Sequence, residues 1–102
     1  MASNLYTLTA LARQELHDIW SYISRDNIVA ADAVVEAFFD TFELLGEYPD
    51  MGHLREDLTH KPVRFWNVHS YMIIYDPRKN PIQILRVRSG YNDLMQLLDD
   101  EL

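Results

Sequence analysis

The chain has 102 residues, 48% of them apolar and 25% charged, with no long Gly, Pro or Ser tract, which suits one domain over residues 1–102 rather than two. A chain of this size can bury roughly 60–70% of its unfolded surface, so neither disulfides nor a structural metal are needed. The absence of cysteine excludes disulfide frameworks, thiolate metal sites and cysteine nucleophiles and fits a reducing compartment. A formal net charge of -7 argues against a surface that tracks phosphate backbones, since such binding is driven by Lys and Arg releasing counterions.

The charge is uneven. Residues 1–54 hold two basic and nine acidic residues, residues 55–98 hold seven and four, and Asp99, Asp100 and Glu101 close the chain, so a local basic surface on the second half is expected. No stretch approaches the ~20 apolar residues of a membrane span, and the first residues carry neither the basic leader nor the apolar core of a signal peptide. A cytoplasmic protein with no membrane association is expected.

In chain order, residues 4–8 predict a short strand, and Thr9 is placed to cap a helix reaching about Arg25. Ala12, Leu16, Ile19, Trp20 and Ile23 give that helix one apolar face. Leu11 and Tyr22 lie off it, beside Asp18. Asn27 opens a second helix to about Gly46, with Ala31, Val34, Val35, Phe38, Phe42 and Leu45 on its apolar face. Asp32, Glu36, Asp40, Glu43 and Glu47 lie opposite and read as a solvated acidic face rather than a metal or proton-transfer site. Tyr48-Pro49-Asp50-Met51-Gly52 supplies turn chemistry before a polar segment to Pro62. Residues 63–69 and 71–76 predict an antiparallel hairpin, and residues 82–88 a third strand in which Arg86 and Arg88 would share a face with Ile82 and Ile84. Gly90 breaks it, and Leu94, Leu97 and Leu98 mark a short terminal helix. Consecutive helices followed by consecutive strands give an α+β fold, a helical hairpin packed on one antiparallel sheet, with Trp20, Ile23, Phe38, Phe42, Ile74 and Leu85 in one core.

Standard catalytic signatures are missing. Three glycines form no phosphate loop, and there is no GxSxG elbow. His17, His53, His60 and His69 match no zinc spacing. His69 and Ser70 are adjacent, where neighbouring strand side chains point apart, so they make a poor nucleophile pair. Arg64, Arg86 and Arg88 on neighbouring strands either converge as an anion-binding contact surface or pair with the acidic helices.

Taken together, Tyr6-Thr7-Leu8-Thr9, Leu16-His17-Asp18-Ile19-Trp20-Ser21-Tyr22-Ile23, Ala30-Ala31, Tyr48-Pro49-x-x-Gly52, Val63-Arg64, Tyr71-x-Ile73-Ile74-Tyr75, Ile84-Leu85-Arg86-Val87 and Gly90-x-x-Asp93-Leu94 resemble the ParE branch of the RelE/ParE superfamily. These are the toxins of type II toxin-antitoxin modules, including plasmid stabilisation systems. The resemblance implies a β-α-α-β-β-β fold with a terminal helix and no cofactor. It also implies a ParD-like antitoxin that docks an apolar helix along the helical hairpin, for which Leu11, Tyr22 and Phe39, outside the main helical faces, are the expected contacts.

The superfamily's two classes make different demands. RelE-like members cleave ribosome-bound mRNA with arginines, lysines and often a tyrosine, cations that stabilise phosphorane charge. Aligned through Tyr71-x-x-x-Tyr75, the strand arginine of that pattern falls on Met72 and a second near Asn92. ParE-like members resemble non-enzymatic, protein-binding inhibitors of DNA gyrase, without direct sequence-specific nucleic-acid binding. That reading is adopted, with Arg86, Arg88 and Asn92 as expected gyrase contacts near the end associated with toxicity. Asn92 replaces a basic residue common in ParE sequences. The alternatives are a RelE-like ribonuclease with rearranged groups, or a non-toxic relic that binds antitoxin.

Overall fold

The computed structural model describes residues 4–89; the expected terminal helix, with Asn92, Leu94, Leu97 and Leu98, lies outside the described residues. The element order is β1 (Tyr6–Leu8), α1 (Ala10–Ser24), α2 (Ile28–Glu47), β2 (Arg64–Val68), β3 (Tyr71–Asp76) and β4 (Ile82–Ser89). Both helix starts follow from side-chain capping: Thr9 Oγ1 accepts from the Ala12 N–H at 3.0 Å, and Asn27 Oδ1 from the Ala30 N–H at 3.0 Å, each satisfying a backbone donor with no partner in the first turn. α2 does not stop at Gly46. It runs to Glu47, and the glycine serves close approach instead, since a Cβ there would stand 2.6 Å from Leu5 Cβ.

The sheet has the order β1-β4-β3-β2. β2·β3 and β3·β4 are antiparallel, as expected, but β1 pairs with β4 in parallel, Tyr6 opposite Ile82 and Leu8 opposite Ile84. The sheet is therefore mixed rather than wholly antiparallel. The helices form the crossover that a parallel pair requires, and the two hairpins then bring β4 back in the direction of β1. The β2–β3 turn is His69–Ser70, with His69 at φ 54°, the left-handed geometry that tight hairpins use.

Alternation along β3 divides the core across the sheet. On one face Ile73 and Tyr75, with Ile82, Ile84 and Val87 of β4, pack under Phe38, Phe42 and Leu45 of α2 and Ala12 and Leu16 of α1. Val63, Phe65, Met72 and Ile74 form a second cluster, with Leu58 and Leu85 packed against it. The single core expected from the sequence is thus two: Phe38 and Phe42 belong to the first, Ile74 and Leu85 to the second. Trp20 and Ile23 are only half-buried, and the Trp20 Nε1–H donates to Asp32 at 2.8 Å.

A β-bulge explains the regrouping on β4. Tyr75 lies opposite Ile84 but Ile74 lies opposite Arg86, so Leu85 is skipped and the alternation resets. Val87, not Arg86, joins Ile82 and Ile84 in the helix-side core, and the expected shared face of Arg86 and Arg88 with those isoleucines does not form.

Candidate functional site

β1 is three residues long, so it covers β4 only as far as Ile84. Beyond that point α1 takes over the edge. Thr9 donates its backbone N–H to Ile84 O at 3.1 Å and its hydroxyl to Leu85 O at 2.8 Å. Six residues further on, the Glu15 carboxylate accepts the Val87 N–H at 3.1 Å. The same carboxylate receives Nε and Nη2 of Arg86, each at 3.0 Å, and Nη1 of Arg88 at 3.0 Å. A forked guanidinium matches a carboxylate in two parallel bonds, which fixes geometry as well as charge.

This arrangement corrects one expected site. Arg86 is 4% exposed and anchored to Glu15, so it is not a surface contact for a target. Arg88 keeps 27% of its side chain exposed while bonding Glu15, and its Nε is buried without an acceptor. Asn92 lies outside the described residues. Glu15 was not singled out from the sequence, although it stands three residues after Ala12 and four before Ile19, at the border of the apolar stripe, where an acid needs a buried cation.

The other arginines of the second half are engaged too. Arg64 donates Nη1 to Gly52 O at 2.7 Å and to Asp50 O at 3.3 Å. Tyr75, buried on β3, donates its hydroxyl to Pro49 O at 2.7 Å and accepts the Gly52 N–H at 2.9 Å, and burial raises its phenol above the ordinary range. Tyr48-Pro49-x-x-Gly52, Arg64 and Tyr75 are one loop anchor, and Gly52 is required because a Cβ would sit 2.7 Å from the Tyr75 ring. Arg55 binds Asp57 through two nitrogens, at 2.9 and 2.8 Å, and Arg78 binds Asp76 likewise, at 3.1 and 3.0 Å. These bonds hold both carboxyls below the usual range. The local basic surface expected from charge counting is therefore largely neutralised by internal pairs.

The helices present the reverse. Asp18, Asp26, Glu36, Asp40, Glu43 and Glu47 are exposed, and among the described residues none is in an ion pair. Leu11, Tyr22 and Phe39, expected outside the helical core faces, are 46%, 71% and 39% exposed. They do not form one groove. Leu11, Asp18 and Tyr22 fall within about 40° of one another around α1, whereas Trp20, which bonds α2 through Asp32, lies about half a turn from Leu11. Their stripe thus faces away from α2, while Phe39 stands on α2 with its ring edge-on to Phe42 at 5.9 Å. Beside the Tyr22 end of the stripe, α1 and the ends of β3 and β4 enclose an open cleft of about 610 Å³, lined by Asp18, Ile19, Tyr22, Ser70, Tyr71 and Ser89. Tyr71 connects it to the core through a ring contact with Phe38 at 5.5 Å.

The family model described as "ParE toxin of type II toxin-antitoxin system, parDE" matches residues 6–94. The chain belongs to the ParE toxin family. No curated protein matches it. Among solved structures it is similar to a chain of the "Chromosomal ParDE TA system from P. aeruginosa", with a TM-score of 0.67 and 21% identity over 87% of this chain and 100% of that one. At that identity the likeness speaks to the fold.

Within this ParE-family chain, the residues that carried the resemblance divide by role. Tyr48-Pro49-x-x-Gly52, Arg64, Tyr75 and Arg86 are architectural, tying the loop to the sheet and the sheet to α1. Asp18 and Tyr22 face solvent. No helix among the described residues is long and apolar enough to cross a membrane.

Proposed function

We propose that the chain is the toxin of a ParDE-like module, a cytoplasmic, non-enzymatic inhibitor that acts on DNA gyrase by protein contact and is neutralised by a ParD-like antitoxin. The observation that carries this reading within the ParE family is the state of the arginines on the sheet and its connecting loops: Arg64, Arg86 and Arg88 on the strands and Arg55 and Arg78 beside them each reach a carboxylate. At the place where the ribonuclease pattern carries a strand arginine, Met72 is 6% exposed in an apolar cluster. Stabilising a phosphorane needs cations aimed at the reacting phosphate, and a sheet with an apolar side chain there and paired arginines around it suits a binding protein better.

The antitoxin contacts are assigned to the solvent side of the helices, through Leu11 and Tyr22 on α1 and Phe39 on α2. Of the residues expected to touch gyrase, Arg88 retains exposed surface for the role, Asn92 stays assigned by position in the chain, and Arg86 acts by holding β4 against α1. The test is induced expression with and without a ParD-like partner, sought as the product of a short reading frame adjacent to the gene, scored for growth, gyrase supercoiling and mRNA integrity. The expected result is growth arrest with inhibited supercoiling, intact mRNA and rescue by the partner. Codon-specific mRNA cuts abolished by Arg64→Ala would favour the ribonuclease, and no arrest with retained partner binding would favour the relic.

A further inference from the structure

The cleft between α1 and the sheet end carries a charge pattern that specifies its occupant. Among the described residues its lining is mostly apolar or hydroxyl-bearing, through Ile19, Tyr22, Tyr71, Ser70 and Ser89, and the one charged side chain is Asp18. Asp18 Oδ1 accepts one hydrogen bond, from the neutral amide of Gln14 at 2.9 Å, and has no ion-pair partner among the described residues. The smaller pocket next to it contains Arg88, which is already bonded to Glu15. Leu11, Asp18 and Tyr22 continue the pattern along one stripe of α1, an acid between two exposed apolar residues eleven positions, or about 16 Å, apart.

We infer that this face of α1 and the adjoining cleft bind a cationic amphipathic segment, a helix of the partner with apolar side chains about three turns apart and a Lys or Arg between them that pairs with Asp18. The inference rests on the antitoxin reading, whose partner it describes chemically. The apolar side chains cover Leu11 and Tyr22 and enter beside Tyr71. The cation meets Asp18, the one carboxylate that the described residues bring to the cleft, within a helical layer whose other exposed acids are also without ion pairs among the described residues. An acidic segment would set its charge against Asp18 and gain only an arginine already shared with Glu15. Charge opposition of this kind selects partners because the wrong sign is penalised, not merely unrewarded.

The probes are two synthetic amphipathic helical peptides, identical except for Lys or Glu at the central polar position, titrated calorimetrically against the intact chain and against Asp18→Lys, Asp18→Asn and Tyr22→Ala. The Lys peptide should bind the wild type about tenfold more tightly than the Glu peptide, a factor that shrinks at high salt. Asp18→Lys should invert the preference, Asp18→Asn abolish it, and Tyr22→Ala weaken both peptides equally. Because Asp18 and Tyr22 are exposed, these variants keep the fold, and circular dichroism verifies it. Equal binding of the two peptides, preference for Glu on the wild type, or a preference unmoved by Asp18→Lys overturns the inference. The adjacent-frame product is tested separately: if it fails to bind while the Lys preference holds, the antitoxin reading falls and the cationic site stands.

Discussion

On the sheet and its connecting loops, five arginines each reach a carboxylate, and the most buried of them, Arg86, does so at 4% exposure. On the helices, Asp18, Glu36, Asp40 and Glu43 stand in water with no ion pair among the described residues, interspersed with exposed apolar residues such as Tyr22, Ile28 and Val29. The difference separates architecture from recognition. A cation answered inside the protein fixes geometry and adds little to the outer field, whereas an unanswered anion beside apolar surface remains available to a partner. Counting charges along the chain suggests a basic second half as the contact surface; among the described residues, the pairing leaves most of the free charge on the acidic first half.

If that comparison is right, the largest effect comes from removing the carboxylate that joins the two regions. Glu15→Ala leaves Arg86 buried without this partner and the Val87 N–H without its acceptor, and should cost about 3–5 kcal/mol in denaturant unfolding near neutral pH. Glu15→Gln keeps an acceptor and should cost less. A loss under 1 kcal/mol for Glu15→Ala would show that the clasp is not structural. Next, Tyr75→Phe removes the hydroxyl that holds Pro49 O and the Gly52 N–H; the expected cost is about 1–3 kcal/mol, with faster amide exchange at Gly52.

Asp76 sharpens the comparison through pH. It is 4% exposed and accepts from the Arg78 backbone N–H and guanidinium, which lower its carboxyl below the ordinary value. A group with a depressed folded-state pKa stabilises above its unfolded pKa of about 4 and loses that contribution as pH falls through the folded value. Arg78 is mostly exposed, so solvent screening limits the gain to about 1 kcal/mol. Asp76→Asn should therefore be less stable than wild type at pH 7, with the gap closing in acid. The smallest effects belong to the hairpin surface: Glu36→Gln and Asp40→Asn should shift stability by less than about 0.5 kcal/mol, and a larger loss would mean these acids are structurally engaged.

Much of the fold is legible in local sequence because its signals are local. Thr9 and Asn27 cap as expected, the helical periods find Phe38, Phe42 and Leu45, and the β2–β3 hairpin falls at His69–Ser70. What is not legible depends on residues far apart in the chain. The parallel β1·β4 pairing joins segments 75 residues apart, and the bulge at Leu85 is written only in the register against β3. Without that bulge Arg86 reads as a surface residue, so a site built on strand parity misplaces it. The candidate site divides in the same way: the exposure of Leu11, Tyr22 and Phe39 follows from helical angle alone, but their separation onto different sides of the hairpin requires knowing where α2 lies. Glu15 escapes because its partners are more than 70 residues away.

The central claim is that the outward stripe of α1, rather than the far end of the helical layer or the sheet, receives the partner. Tyr22 and Tyr48, 71% and 59% exposed, report on these regions with the same side-chain chemistry, so hydroxyl-radical footprinting of the chain alone and with the adjacent-frame product compares them within one molecule. The account predicts that complex formation strongly suppresses oxidation of Tyr22 while Tyr48 remains reactive. Suppression at Tyr48 with Tyr22 unchanged would contradict it.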